Sequence, residues 1–86
     1  MNLNQLHYFA KLAEVEHYTK AAEELSISQP SLSHAVSSLE KEIGTKLFEK
    51  QGRGVVLTKY GKIFIEREYF IAGNDNEEFH LDRFGK

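Results

Sequence analysis

Residues 19–44 read TKAAEELSISQPSLSHAVSSLEKEIG, a pattern that predicts two helices joined by the short turn of a helix-turn-helix. Thr19 is predicted to cap the first helix and Ser28 the second, because hydroxyl oxygens accept hydrogen bonds from the free amides of a first turn. Gly44 stands where a residue in the left-handed conformation would end the second helix. Helical spacing predicts one buried face on each helix, formed by Ala21, Ala22 and Leu25 and by Leu32, Val36, Leu39 and Ile43.

The opposite face of the second helix carries small or flat polar side chains without charge: Gln29, Ser31, Ser33, His34, Ser37 and Ser38. An ordinary solvated face would hold Glu and Lys, which are better helix formers. A glutamine can bond both polar atoms of an adenine edge in the major groove of DNA, and Pro30 offers an apolar surface to a thymine methyl group. The alternative is a serine-rich surface helix without a partner. The composition of the face favours close approach to groove edges and phosphates.

Length and composition disfavour an enzyme. A chain of 86 residues supports one small domain, which buries only about 60% of its unfolded surface and leaves little core around a substrate cavity. The chain has no cysteine, and its four histidines show no metal-binding spacing. Ser33 and His34 are successive helical residues whose side chains point about 100° apart, so they do not form a nucleophile and base. The sequence predicts no catalytic residue, cofactor or metal.

The sequence also predicts a cytoplasmic protein. No apolar run approaches the roughly 20 residues of a membrane span, and the N-terminus lacks the cleavage region of a signal peptide. The absence of cysteine gives no sign of an oxidising compartment. We therefore expect no membrane partner.

Positive charge is concentrated in one block of the chain, although the formal net charge is −2. Residues 44–63 hold five basic residues against one glutamate, whereas residues 1–43 and 64–86 are both acidic overall. Any short window can be this basic by chance. The block nevertheless follows the predicted helix-turn-helix directly, where a phosphate backbone would pass.

Two short β-prone runs flank the sequence QGRG and predict a hairpin. The runs are TKLFEK at 45–50 and VVLT at 55–58, and the two glycines permit the positive φ angles that a tight turn needs. Arg53 would extend from the tip, where an arginine can enter a narrow minor groove or hold a phosphate. The alternative is a solvated loop charge. Lys46 and Lys50 would lie nearer the base of the hairpin.

The run from Ala21 to Phe48, AA..L..SQPSLS..V..LE..IG..LF, followed by Arg53, Thr58 and Gly61, resembles the N-terminal winged helix-turn-helix of LysR-type transcriptional regulators. The resemblance covers residues 1 to about 66. It implies a mainly α fold with a three-helix core, a two-stranded wing and a partial linker helix. It also implies sequence-specific binding of double-stranded DNA, with helix 28–43 in the major groove and wing 50–55 at the minor groove.

The expected contacts combine this resemblance with the chemistry of the side chains. Major-groove contacts are expected from Gln29, Pro30, Ser33 and His34, and a minor-groove contact from Arg53. Phosphate contacts are expected from Ser31, Lys50 and Thr58. Arginine is usual in the family at the position of Lys50, and lysine keeps the charge but loses the bidentate fork.

The N-terminal segment is predicted to form a helix that covers the helix pair. Asn2 and Gln5 have the spacing of a capping box. A buried stripe is predicted at Leu6, Phe9, Ala10 and Ala13. Tyr8, Leu12 and Val15 widen the apolar surface, which leaves either a larger core contact or a second contact open.

A last helix is predicted from Thr58 to Ala72, with Thr58 as its cap and Gly73 to Asn76 as its stop. In the family the corresponding helix is the linker that pairs two subunits. The resemblance thus implies a homodimer that binds an interrupted inverted repeat, if the helix is long enough. The pairing side would consist of Tyr60, Ile63, Phe64 and Ile71.

The chain is thereby divided into a DNA-binding domain at 1–58, a shortened linker helix at 58–72 and an acidic tail at 73–86. The tail is expected to be disordered, and the alternative is a small docking motif of Phe79, Leu81 and Phe84. The effector domain that follows the linker in the family is not present in these residues, so no small-molecule effector is expected on this chain. A winged-helix protein-interaction module that has lost DNA binding is the second hypothesis, supported by the net negative charge.

Overall fold

A computed structural model of the protein describes the main chain of residues 2–71 and the side chains of residues 2–67. The predicted tail, with its possible docking motif, and the predicted stop after Ala72 lie outside the described residues. The elements in chain order are α1 (Leu3–Val15), α2 (Tyr18–Leu25), α3 (Gln29–Ile43), β1 (Phe48–Gln51), β2 (Gly54–Leu57) and α4 (Lys59–Ile71). This is the predicted mainly α winged helix-turn-helix. Within residues 2–71, none of the helices has the length and apolar character that a membrane crossing requires.

Helix α1 begins at the predicted capping box. The Asn2 side chain accepts a hydrogen bond from the Gln5 amide (2.8 Å), and the Gln5 side chain accepts one from the Asn2 amide (3.1 Å). The helix ends at Glu16, which adopts the left-handed conformation with φ 63°. The chain can therefore turn sharply into α2.

Helix α2 begins earlier than predicted, because His17 rather than Thr19 is its N-cap. His17 is extended and its Nδ1 accepts a hydrogen bond from the Lys20 amide (3.4 Å), whereas Thr19 lies within the first turn of the helix and is exposed. Because Glu16 is left-handed, the extended residue that must precede α2 is residue 17. The greater capping preference of threonine does not change this position.

The second helix of the helix-turn-helix, α3, has the predicted boundaries. Ser26 ends α2 in the left-handed conformation (φ 59°), Ser28 caps α3 through the Ser31 amide (3.1 Å), and Gly44 ends α3 with φ 94°. Pro30 lies in the first turn of α3, where a missing amide hydrogen leaves no intrahelical bond unmade.

One apolar core joins the three helices to the wing. The ring of Phe9 makes edge contacts with Phe48 of β1 (centroids 5.3 Å apart) and Phe64 of α4 (5.2 Å). Leu12 is fully buried, and Tyr8 and Val15 pack against the core, so the wide apolar surface of α1 is core contact. The predicted helical stripes are confirmed, except that four of their residues, Leu6, Ala10, Leu25 and Ile43, are only partly buried. The buried core consists of Phe9, Leu12, Ala13, Ala21, Ala22, Leu32, Val36, Leu39, Leu47, Phe48, Leu57 and Ile65.

The wing is an antiparallel pair in which Phe48 lies opposite Leu57 and Gln51 opposite Gly54. The first strand begins three residues later than the run predicted at 45–50 and ends one residue later, and the second lies one residue before the run predicted at 55–58. Of the two glycines of the turn, only Gly54 differs from the prediction. Gly52 has φ 60°, as the first position of a type II′ turn requires, but Gly54 has no positive φ. Gly54 instead lies so close to the Glu16 carbonyl that a Cβ atom would clash with it.

Helix α4 begins as predicted after Thr58, whose hydroxyl oxygen accepts a hydrogen bond from the Gly61 amide (3.0 Å). Gly61 is buried against the Leu47 carbonyl, which leaves no room for a Cβ atom. Phe64 is partly buried against the domain's own core, and the side chain of Ile71 lies outside the described set. Of the side chains predicted for dimer pairing, Phe64 thus packs against the core of its own domain, which its helical spacing from Tyr60 did not indicate.

Candidate nucleic-acid interface

The first turns of α3 present the predicted polar face. Gln29, Pro30 and His34 are exposed, and Ser33 is partly buried at the edge of the same face. Gln29 and Ser33 are four residues apart, as are Pro30 and His34, so the structure brings these side chains into two adjacent rows. Within the described side chains, none of these residues makes a side-chain hydrogen bond. The donors and acceptors of this face are consequently free to meet an external partner.

Ser31 belongs to the same turn but is held by the helix cap. The Ser28 hydroxyl donates a hydrogen bond to the Ser31 hydroxyl oxygen (2.8 Å), and both side chains are exposed. Since a hydroxyl group is both donor and acceptor, the Ser31 hydrogen stays available. That geometry suits donation to a phosphate oxygen.

The tip of the wing presents two exposed cations. Arg53 occupies the second position of the turn, and Lys50 lies on β1 opposite Val55. Among residues 2–67, neither cation forms an ion pair or a side-chain hydrogen bond. An arginine on a narrow two-residue turn can enter a groove that would exclude a wider element.

Thr58 differs from the other predicted phosphate contacts. Its hydroxyl donates to the Lys46 carbonyl (2.8 Å) while it accepts from the Gly61 amide. A phosphate oxygen can only accept, and the single hydroxyl hydrogen of Thr58 is already donated. In this geometry Thr58 joins the base of the wing to α4 instead of pointing a donor outward.

Part of the acidic charge that opposes DNA binding is paired within the helices. The Lys11 Nζ lies 3.3 Å from a carboxylate oxygen of Glu14 and 3.3 Å from one of Glu24, which links α1 to α2. Desolvation lowers the pKa of Lys11, but the hydrogen bonds and charges of these two carboxylates outweigh it and raise the pKa above its usual value. Among the described residues, Lys46 is the one cation of the positive block that forms an ion pair, 3.7 Å from Glu40.

Glu40 is a residue that the sequence did not identify as part of the site. From α3 its Oε2 atom accepts hydrogen bonds from the Leu47 amide (2.8 Å) and the Phe48 amide (3.3 Å), and its side chain is only 11% exposed. The half-buried Tyr18 lies nearby, and burial, followed by the charge of Glu40, raises the pKa of its phenol. A glutamate on a helix gives no sequence signal for such contacts, because its partners are main-chain amides seven and eight residues further along the chain, beyond the end of the helix.

The exposed face of α4 carries two large apolar side chains. Tyr60 is 52% exposed and Ile63 is 51% exposed, and the Lys59 Nζ lies 5.5 Å from the centroid of the Tyr60 ring. They are one helical turn apart and share one side of the helix.

Among the residues described, His, Cys, Asp and Glu form no group of three or more that could hold a metal ion.

Comparison with known proteins identifies the family. Residues 3–62 match the family described as "bacterial regulatory helix-turn-helix protein, lysR family". The chain is 49% identical over 67 residues to the uncharacterized HTH-type transcriptional regulator YybE of Bacillus subtilis, covering 78% of this chain and 23% of YybE. It is 48% identical over 66 residues to the HTH-type transcriptional regulator BudR of Klebsiella aerogenes, covering 77% of this chain and 46% of BudR. The chain thus spans less than half the length of these curated relatives.

Two solved structures with DNA have the same fold. The first is the BenM DNA-binding domain in complex with catB site 1 DNA, with a TM-score of 0.79 and 36% identity, covering 91% of this chain and 84% of that one. The second is the CbnR DNA-binding domain in complex with DNA, with a TM-score of 0.76 and 34% identity, covering 91% of this chain and 93% of that one.

Proposed function

Because the chain belongs to the LysR family of bacterial regulatory helix-turn-helix proteins, we propose that it binds double-stranded DNA sequence-specifically and acts in transcription regulation. The observation that carries the proposal is the exposed, uncharged polar face at the start of α3, together with a wing tip whose two cations form no ion pair among the described residues. The complexes of the BenM and CbnR domains with DNA support it. Chromosomal DNA lies in the bacterial cytoplasm, so we propose that the protein works there.

In the proposed complex, α3 lies in the major groove. Gln29 hydrogen-bonds both N6 and N7 of one adenine, and Pro30 contacts a thymine methyl group. Ser33 and His34 lie one turn further along the same rows and contact neighbouring base edges. Gln29 and Pro30 are exposed at the helix N-terminus, the end that recognition helices of this type direct at the bases.

The wing completes the interface from the adjacent groove. Arg53 enters the minor groove, where negative potential is greatest over narrow A·T-rich segments. Lys50 and the Ser31 hydroxyl contact phosphates. Thr58 contributes to the interface by orienting the base of the wing, because its hydroxyl hydrogen is donated to the Lys46 carbonyl.

We further propose that two copies pair through α4. The exposed Tyr60 and Ile63 form the centre of the pairing side. Helix α4 has 13 residues and is about 20 Å long at 1.5 Å per residue, which suffices for two antiparallel helices to cross at this patch.

Selection of the purified chain against a pool of random duplexes, followed by fluorescence anisotropy at several salt concentrations, tests the proposal. Enrichment of one motif, with weaker binding to a scrambled duplex, is the expected result. A two-fold-related motif would indicate a bound dimer, and a single half-site a bound monomer. No enrichment at low salt would reject DNA binding in favour of a winged-helix protein-interaction module, which the net charge of −2 would then explain.

A further inference from the structure

The main chain that leads into the wing is attached to α3 by the carboxylate of Glu40. One oxygen of this carboxylate accepts hydrogen bonds from two successive amides, those of Leu47 (2.8 Å) and Phe48 (3.3 Å). The side chain is 11% exposed, so water competes little for these bonds. Bonds to an ionised acceptor are the stronger class of hydrogen bond, and they are directional. They fix the first residue of β1 relative to α3.

The same segment is held from its other side by the start of α4. The Thr58 hydroxyl donates to the Lys46 carbonyl (2.8 Å), and the Thr58 amide donates to the Leu47 carbonyl (3.0 Å). Residues 46–48 therefore lie between Glu40 and Thr58, with polar bonds to both. We call residues 46–48, which these bonds hold in place, the pivot of the wing.

Both proposed DNA contacts lie far from this pivot. Gln29 is eleven residues from Glu40 along α3, which is about 16 Å at 1.5 Å per residue. Arg53 lies at the tip of the wing, where the chain reverses, about four residue steps beyond Phe48 or about 13 Å at about 3.3 Å per residue. A rotation of about 10° at the pivot would thus move Arg53 by about 2 Å, most of the length of a hydrogen bond.

We propose that Glu40 is a positioning residue, which sets the wing at the distance and angle from α3 that let Gln29 and Arg53 reach their grooves together. This inference rests on the proposed function. It differs from a contribution to stability alone, because a smaller folded fraction weakens every contact in proportion, whereas a misplaced wing loses the Arg53 contact selectively.

Three variants separate these effects. Glu40→Met keeps the length of the side chain and removes the acceptor, whereas Glu40→Gln keeps one amide oxygen as an acceptor. Glu49→Met is the matched control, because Glu49 is exposed on β1 and its loss changes the net charge by the same amount. Circular dichroism establishes folding, and Glu40→Gln carries the test if Glu40→Met does not fold.

The experiment is a double-mutant cycle with Arg53→Ala on the selected duplex. We expect Arg53→Ala to lower affinity about tenfold or more in the native background, as the loss of a charged hydrogen bond does. The loss should fall to about twofold in Glu40→Met, take an intermediate value in Glu40→Gln and stay at tenfold in Glu49→Met. An equal effect of Arg53→Ala in every background would overturn the positioning role.

A measurement without DNA distinguishes failure of this inference from failure of the proposed function. Amide hydrogen exchange of the free protein should show loss of protection at Leu47 and Phe48 in Glu40→Met and retention in Glu49→Met. Unchanged protection would reject the attachment itself. If Glu40→Met loses this protection but the native chain binds no duplex, the proposed DNA binding is wrong. The positioning role is then rejected as well, because it presupposes a bound groove.

Discussion

The Val55 amide donates a hydrogen bond to the Glu16 carbonyl (3.1 Å), so the second wing strand is attached to the turn between α1 and α2. Glu16 offers this carbonyl because it ends α1 in the left-handed conformation. The neighbouring Gly54 passes the same carbonyl with no space for a Cβ atom. Together with the hydrogen bonds that Glu40 accepts from the Leu47 and Phe48 amides, this contact anchors both strands of the wing.

Gly54→Ala should separate the wing from this anchor. We expect a loss of about 1–3 kcal/mol in the free energy of unfolding, the usual cost of overpacking, because the new methyl group meets main chain that cannot rotate away. Exchange protection of the Val55 amide should fall at the same time. Gly44→Ala is the control, since Gly44 has a positive φ but open space around its Cβ position. Equal Val55 protection in the two variants would contradict the close approach.

The contact between Gly54 and Glu16 shows which features of the fold could be predicted from the sequence and which could not. The caps at Asn2 and Ser28, the end of α3 at Gly44 and the buried stripes depend on neighbours within one turn of helix, and all were predicted. Gly54 was recognised as a turn glycine, but its real constraint is a carbonyl almost forty residues away in the chain. Such a contact depends on how the elements pack, which local pattern does not specify.

Arg53→Ala tests the wing contact through its salt dependence. Each phosphate neutralised by a protein contributes about 0.9 to the slope of log affinity against log salt, so the loss of one cation should lower the slope by about that amount per subunit. Arg53→Lys should keep the slope and lose affinity on A·T-rich flanks, because it keeps the charge but not the planar fork. A slope that Arg53→Ala leaves unchanged would place Arg53 away from DNA.

Ile63→Lys tests pairing through α4. Burying an isoleucine contributes about 1.5–3 kcal/mol, so replacing both copies in a dimer should weaken association at least about tenfold in sedimentation equilibrium. Leu3→Lys is the matched control, because Leu3 is 73% exposed on a different helix. If the two variants associate equally well, the exposed apolar pair on α4 is not the pairing surface.

The dimer prediction also shows a limit of helical spacing. Tyr60, Ile63 and Phe64 share one side of α4 by sequence, yet Phe64 packs on Phe9 while the other two are exposed. Spacing assigns residues to a side of a helix but does not define how far the adjacent domain covers that side. The start of α2 gives a similar case. The sequence predicted Thr19 as its N-cap, but His17 is the cap, because α1 ends at Glu16 and the extended residue comes next.

Tyr18 should report the charge of Glu40. Burial, and then that charge, raises the pKa of Tyr18 above the usual value of about 10. Because the folded pKa exceeds the unfolded one, the neutral phenol stabilises the fold fully below about pH 10, and this contribution is lost as the pH rises through the folded pKa. The raised pKa of Lys11 acts in the same direction, so a stability curve alone would not separate the two.

Residue-resolved NMR titration of the Tyr18 ring carbon provides that separation. Tyr18 should titrate above its value in the unfolded chain, and Glu40→Gln should lower its pKa while burial keeps it raised. An unchanged titration in Glu40→Gln would mean that the carboxylate does not act on the phenol.

The central claim is that Gln29 at the start of α3 reads an adenine in the major groove, and a cycle of base and side-chain changes tests it most directly. Each adenine of the selected duplex is replaced in turn by 7-deazaadenine, which removes the N7 acceptor from the major groove. One replacement should weaken the native chain by about 1–3 kcal/mol and leave Gln29→Ala unaffected, while Asn4→Ala, exposed on α1, behaves as the native chain does. Equal losses for the native chain and Gln29→Ala at every adenine would contradict the claim.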